Sequence, residues 1–152
     1  MQRSYQWLLN RWFATRRPLT LGVRAAAFDR AGRIFLVRHT YVRGWYLPGG
    51  GVEVGESVYD ALEREILEEG NLVLTEQPEL FAVYHNNRAS RRDHVVLFIC
   101  RNVSQSEIRR PDMEIAEAGF YELDALPDGV TGATKRRLSE IAGVVSRPDS
   151  RW

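Results

Sequence analysis

Glu65, Glu68 and Glu69 fall within one turn near the end of a segment with helical periodicity. Folding alone does not favour that placement. Glu65 and Glu69 are i,i+4 neighbours, so two like charges face each other at a cost of about a few tenths of a kcal/mol. The last turn also carries the negative end of the helix dipole, which disfavours carboxylates. Something positive must offset both penalties, and a divalent cation, which takes oxygen ligands from carboxylates, is the simplest source. A run of three glycines, Gly49 to Gly51, stands in front of the helix and is read together with it.

The elements that would hold these residues follow from periodicity. The spacing predicts a helix from 58 to about 69, started by Ser57 as N-cap with Asp60 as its capping-box partner. Its core stripe is Val58, Leu62 and Ile66, with Tyr59 beside it. At about 100° per residue, Glu65 and Glu69 sit at one edge of that stripe and Glu68 just beyond, on the boundary between core and solvent. In front, residues 19–29 read as a strand, 29–32 as a turn and 33–38 as the hairpin partner. Behind it, 72–75, 80–87, 94–100 and 115–122 read as strands and 131–141 as a second helix. This mixed order argues for an α+β fold with helices packed on a mixed sheet. Residues 4–15 place Tyr5, Leu8, Leu9, Trp12 and Phe13 on one helical face, closed by Pro18. The expected organisation is an amphipathic segment over 1–17, a domain over 18–143 and a loose tail over 144–152.

The residues around the glutamates carry a resemblance. The stretch Gly50–x5–Glu56–x7–Arg64–Glu65–Ile66–x–Glu68–Glu69 is similar to the Nudix box, G-x5-E-x7-R-E-U-x-E-E-x-G-U, where U is a bulky aliphatic residue. Leu72 fills the final aliphatic place, and Pro48, Gly49 and Gly50 match the usual prelude. The many fixed spacings make the match far more specific than a lone glycine motif. One position departs: Asn71 stands where the family has glycine, with Gly70 just before it. Either Asn71 takes the left-handed cap, being the next most tolerant residue, or Gly70 does and the helix exit shifts by one.

The resemblance implies a Nudix α/β/α sandwich and hydrolysis of a nucleoside diphosphate linked to another group, with Mg²⁺ as cofactor and Mn²⁺ able to substitute. It implies a metal set of Glu65, Glu68, Glu69 and the carbonyl of Gly50, where absence of a side chain permits close approach. Arg64, i,i+4 to Glu68, is read as a clamp on that carboxylate. Glu56 matches a structural position that anchors the loop to Arg64. For the general base, Glu65, Glu68 and two glutamates from a later segment, Glu114 and Glu117, stay open, with solvated loop charge as the bland reading of the last two.

Other polar and aromatic residues admit two readings each. Arg24, Arg38 and His39, on or beside the first two strands, either meet phosphate or face solvent. Trp45 and Tyr46 either stack on a base or pack in the core. Tyr84, His85, Asn87, Arg88, Arg91 and Arg92 either recognise substrate or form an ordinary polar hairpin tip. His85 and His94 lack zinc-ligand spacing.

Composition narrows the partners. A net charge of +1 supplies no global field for nucleic acid or membrane, so no long nucleic acid is expected. No apolar stretch reaches the roughly 20 residues of a membrane span. Cys100 is the only cysteine and forms no internal disulfide, which together with the lack of a signal-peptide pattern suits a cytoplasmic setting. The N-terminal stripe needs burial, in its own fold or in a homodimer rather than on a membrane. The rival readings are a catalytically silent Nudix-fold binding module, from which the intact set of box glutamates distinguishes this chain, and a plain structural domain whose acidic turn is accidental.

Overall fold

A computed structural model describes residues 18–145 and 150–152. The expected helix over 4–15 lies outside the described residues. The central sheet joins β1 (Thr20–Ala27), β5 (Asp93–Cys100) and β4 (Glu79–His85) in the order β1-β5-β4. β1 runs parallel to β5, in register from Thr20 with Asp93 to Ala27 with Cys100, and β4 is antiparallel to β5. A second sheet pairs β2 (Ile34–His39) with β7 (Ile115–Tyr121), antiparallel, and a short ladder pairs β3 (Leu72–Val73) with β6 (Ser104–Gln105). Two helices complete the described elements: α1 (Val58–Gly70) and α2 (Gly132–Ile141).

Strand alternation divides the core into two layers. Val23, Ala25 and Ala27 of β1 face one side with Val96, Phe98 and Cys100 of β5, and α1 covers them with Ala61, Leu62 and Ile66. Ala26, Leu97 and Ile99 face the other side, where Leu138 of α2 closes the layer with Trp45 and Leu47. Strands buried on both faces read as near-continuous apolar runs, which is the character of these two segments. The result is the helix/sheet/helix sandwich.

The expected hairpin between the first two strands is corrected. Only Phe28 and Ile34 form a bridge, and beyond it β1 joins β5 while β2 joins β7. The Asp29 side chain bonds the N–H groups of Ala31 and Arg33, so the turn closes as anticipated, but the strands splay apart behind it. The segment over 45–52 fills the gap. Tyr46 exchanges both backbone bonds with Val37, while the N–H groups of Ala25 and Val23 donate to Pro48 and Gly50 carbonyls. The segment over 45–52 therefore stitches the two sheets together, Tyr46 on β2 and Pro48 and Gly50 on β1. The loose tail is also corrected in part: at residues 150–152, His85 exchanges backbone bonds with Ser150 and Trp152, and the Trp152 ring packs edge-on against Tyr84 at 5.5 Å.

Candidate functional site

The end of α1 is fixed in space by several independent contacts. At its start the full capping box forms: Asp60 N–H donates to Ser57 Oγ at 3.1 Å, and Ser57 N–H donates back to Asp60 Oδ2 at 3.0 Å. At its exit Asn71 takes the left-handed conformation, φ 53°, and its N–H bonds the Ile66 and Leu67 carbonyls. Gly70 remains helical and serves another purpose: a Cβ there would strike the Phe35 ring at 2.7 Å. Two orphan carbonyls of the last turn are satisfied from later in the chain: Gln105 Nε2 of β6 donates to Gly70 O at 2.9 Å and Arg109 Nε donates to Glu68 O at 3.0 Å. Arg109 thus brings positive charge to the negative end of the helix.

The three glutamates diverge in environment. Glu69 is buried; its Oε2 accepts the Gly49 N–H at 2.8 Å, and its Oε1 lies 3.5 Å from His39 Nε2. Burial lifts its carboxyl to about 7; nearby Glu65 and Glu114 add to the rise, while the Gly49 N–H and Arg24 oppose it. Glu65 lies against the glycine run: a Cβ on Gly50 would sit 2.7 Å from its carboxyl carbon. Its Oε1 accepts from Arg64 Nη1 at 2.8 Å. Glu68 is 60% exposed.

Arg64 is not chiefly a clamp on Glu68, which it meets only at 3.5 Å. It grips Glu56 with two parallel bonds, 2.8 and 3.0 Å, and also holds Glu65 and the Gly51 carbonyl. A planar guanidinium with five donors suits this fork-and-brace geometry. Its protonated form is strengthened by Glu56 and Glu65. One arginine therefore ties loop, helix and carboxylate into a unit.

Of the two later glutamates, only Glu114 reaches the site. Register shifts between Arg38 and His39, where β2 meets β7, and Thr40 N–H bonds the Glu114 carbonyl at 2.9 Å. Donor atoms of His39, Glu69 and Glu114 all lie within 4.8 Å of one another. Asp112 accepts the N–H groups of Glu114 and Ile115 and pairs with Arg109, so the loop bearing Glu114 is braced to the end of α1. Glu117 instead pairs with Arg38 across the strands at 2.8 Å, which engages both residues with each other on an exposed face.

The remaining candidates separate clearly. Arg24 donates to Leu47 O at 2.9 Å and lines, with Gly22, Gly50, Asn86 and Trp152, a hollow of about 250 Å³ beside the glycine run. Tyr46 packs against the core with its hydroxyl on Arg43 O. Tyr84 as a substrate contact is corrected: it is fully buried, bonds Glu140 Oε2 at 2.7 Å and lies 4.1 Å under Arg137, so it belongs to the α2 layer. His39 has a setting that sequence reasoning missed. Its signal was strand parity, because Phe35, Val37 and His39 share the inward face of β2 and the first two are core residues. Burial, with nearby Arg24, holds its imidazole below the usual range, against Glu114.

These features can hold a divalent cation. A buried carboxylate at the end of α1, a second carboxylate pressed on a residue without Cβ, and a third from a braced loop give oxygen donors of the kind Mg²⁺ and Mn²⁺ take.

Comparison with known proteins bears on the same residues. The family model described as NUDIX domain matches residues 18–140. The NAD-capped RNA hydrolase NudC of Yersinia enterocolitica is 31% identical over 132 residues, 81% of this chain and 47% of that protein. The ADP-ribose pyrophosphatase of Methanocaldococcus jannaschii is 38% identical over 82 residues, 53% of this chain and 47% of that protein. The chain thus aligns with less than half the length of each. Among solved structures, a MutT NUDIX hydrolase from Burkholderia pseudomallei superposes with TM-score 0.67 at 30% identity, covering 80% of this chain and 97% of that one. A UDP-X diphosphatase superposes with TM-score 0.66 at 25% identity, covering 92% and 71%.

Proposed function

This chain is a member of the NUDIX domain family, and from that premise we propose that it hydrolyses the diphosphate linkage of a nucleoside diphosphate joined to another group. The observation that carries the reading is the seating of Glu65 and Glu69 against the glycine run, with Gly50 leaving room for a carboxylate that a side chain would displace. The names of the relatives support the substrate class: NAD, ADP-ribose and UDP-X each contain a nucleoside diphosphate linked onward.

Glu65, Glu69, Glu114 and the Gly50 carbonyl would hold the Mg²⁺, with Mn²⁺ able to substitute. When bound, the cation neutralises diphosphate charge and acidifies water. Arg24, beside the glycine run, meets a phosphate oxygen. Arg64 keeps Glu65 and the loop in register. Glu68, exposed and only weakly held by Arg64, accepts a proton from water as the water oxygen bonds phosphorus. The bridging P–O bond breaks, and its electron pair leaves with the departing phosphate. The products are a nucleoside monophosphate and a phosphorylated remainder.

Mass spectrometry of products tests this. The panel is ADP-ribose, NAD, nucleotide sugars, dinucleoside polyphosphates, nucleoside triphosphates and a NAD-capped oligonucleotide, each with Mg²⁺ and in ¹⁸O-water. Cleavage that needs metal, places the label on one phosphate and disappears in Glu69→Gln is the expected result. Glu68→Gln should lower kcat by about 10²- to 10⁴-fold. A Glu69→Gln variant that keeps the wild-type rate overturns the metal assignment. Nucleotide binding without cleavage of any compound would favour a binding module instead.

A further inference from the structure

The environment of His39 is not that of a packing residue. It occupies the inward face of β2, where parity calls for an apolar side chain, and is 93% buried because its relative exposure is 7%. Its Nδ1 has no hydrogen-bond partner. Its Nε2 faces Glu69 Oε1 at 3.5 Å, too long for a good hydrogen bond. Neither nitrogen is therefore committed, although a buried polar group without a partner is costly. The rings of Tyr41 at 5.1 Å and Tyr46 at 6.0 Å flank the imidazole.

Donor spacing says what the ring could serve. Two ligands bound at about 2.1 Å to one ion stand about 3.0 to 3.5 Å apart at cis or tetrahedral angles. His39 and Glu69 already have that separation, and Glu114 completes a set within 4.8 Å. We propose that His39 is a direct nitrogen ligand of a divalent cation shared with Glu69 and Glu114, so that this site favours Mn²⁺ and Co²⁺ over Mg²⁺. Imidazole suits borderline transition metals, whereas Mg²⁺ takes oxygen almost exclusively. The inference rests on the metal-dependent reading above and adds to it the identity of one ligand and the order of metal preference.

Pulsed EPR of the Mn²⁺-loaded full chain detects the ligand directly, without turnover. The expected spectrum carries a nitrogen coupling that changes when the histidines are labelled with ¹⁵N in the wild-type protein, and that is lost in His39→Gln. The label experiment needs no substitution, so it stands even if the variant folds poorly. The ratio of Mn²⁺ to Mg²⁺ affinity should fall by about tenfold or more in His39→Gln. Mn²⁺ bound without a histidine coupling, or with a coupling that survives in His39→Gln, overturns the proposal and leaves the metal-dependent reading standing. Failure to bind Mn²⁺ at millimolar concentration overturns both.

Discussion

Glu69 is a carboxylate whose burial works against its own ionisation. Its value of about 7 lies above the ordinary 4.5, so in metal-free protein the stability tied to this group is fully present below about pH 4.5 and is lost as pH rises through about 7. The size is on the order of 3 kcal/mol. Urea unfolding of metal-free protein across pH 4.5 to 8 should show the loss in wild type and lack that component in Glu69→Gln. Parallel profiles for the two proteins would contradict the burial argument. A bound cation removes the penalty because it favours the charged form. At the same scale, Arg64 holds the Glu56 anchor that the resemblance implied, but only marginally the Glu68 carboxylate read as its partner from spacing. An i,i+4 neighbour is the obvious partner from spacing alone, but the loop delivers Glu56 and the Gly51 carbonyl into the same fork.

At the scale of elements, the exit of α1 decides where the carboxylates point. Asn71 occupies a left-handed position while Gly70 does not, so the two residues should respond oppositely. Asn71→Gly should be close to neutral and Asn71→Ala should cost about 1 kcal/mol. Gly70→Ala should cost about 1–3 kcal/mol, since its Cβ would meet the Phe35 ring. Thermal unfolding of the three variants checks this, and a costly Asn71→Gly with a silent Gly70→Ala would reverse the assignment. The helix and its box were legible in sequence because caps, stripe and spacing are all local. Strand pairing was not. The turn at Asp29 gives a strong local hairpin signal, and it outweighed a signal that was also present, the two-sided apolar run of Val23, Ala25, Ala26 and Ala27 that marks a strand buried on both faces. Glu114 and Glu117 looked equivalent because only the register shift where β2 meets β7 tells them apart. Tyr84 looked like a hairpin-tip contact because burial under α2 depends on a helix far along the chain.

Across the whole molecule, the layer under α2 is held by charge as well as by apolar packing. Arg137 is fully buried, pairs with Glu140 at 2.8 Å, donates to Arg151 O and lies over the rings of Tyr84 and Trp152. Arg137→Met would leave Glu140 without that partner in the interior and should cost about 3–5 kcal/mol. Because this layer lies across the sheet from α1, Mn²⁺ affinity of the folded fraction should not change. Denaturation and metal titration of the same variant separate the two effects. No helix among the described residues is long and apolar enough to cross a membrane. The parallel pairing of β1 with β5 also bears on the order of events in time. Those strands come from distant parts of the chain, and they meet only after a large loop has closed, which makes folding slow. Arg24 and the glycine run are seated on β1, while Glu114 arrives later still in sequence, so the donor set is complete only when both sheets have formed. A cation that needs all of these donors stabilises the native state far more than the transition state. Stopped-flow measurements should therefore show Mn²⁺ slowing unfolding while leaving the refolding rate almost unchanged, with the ion acting as a latch on a finished structure.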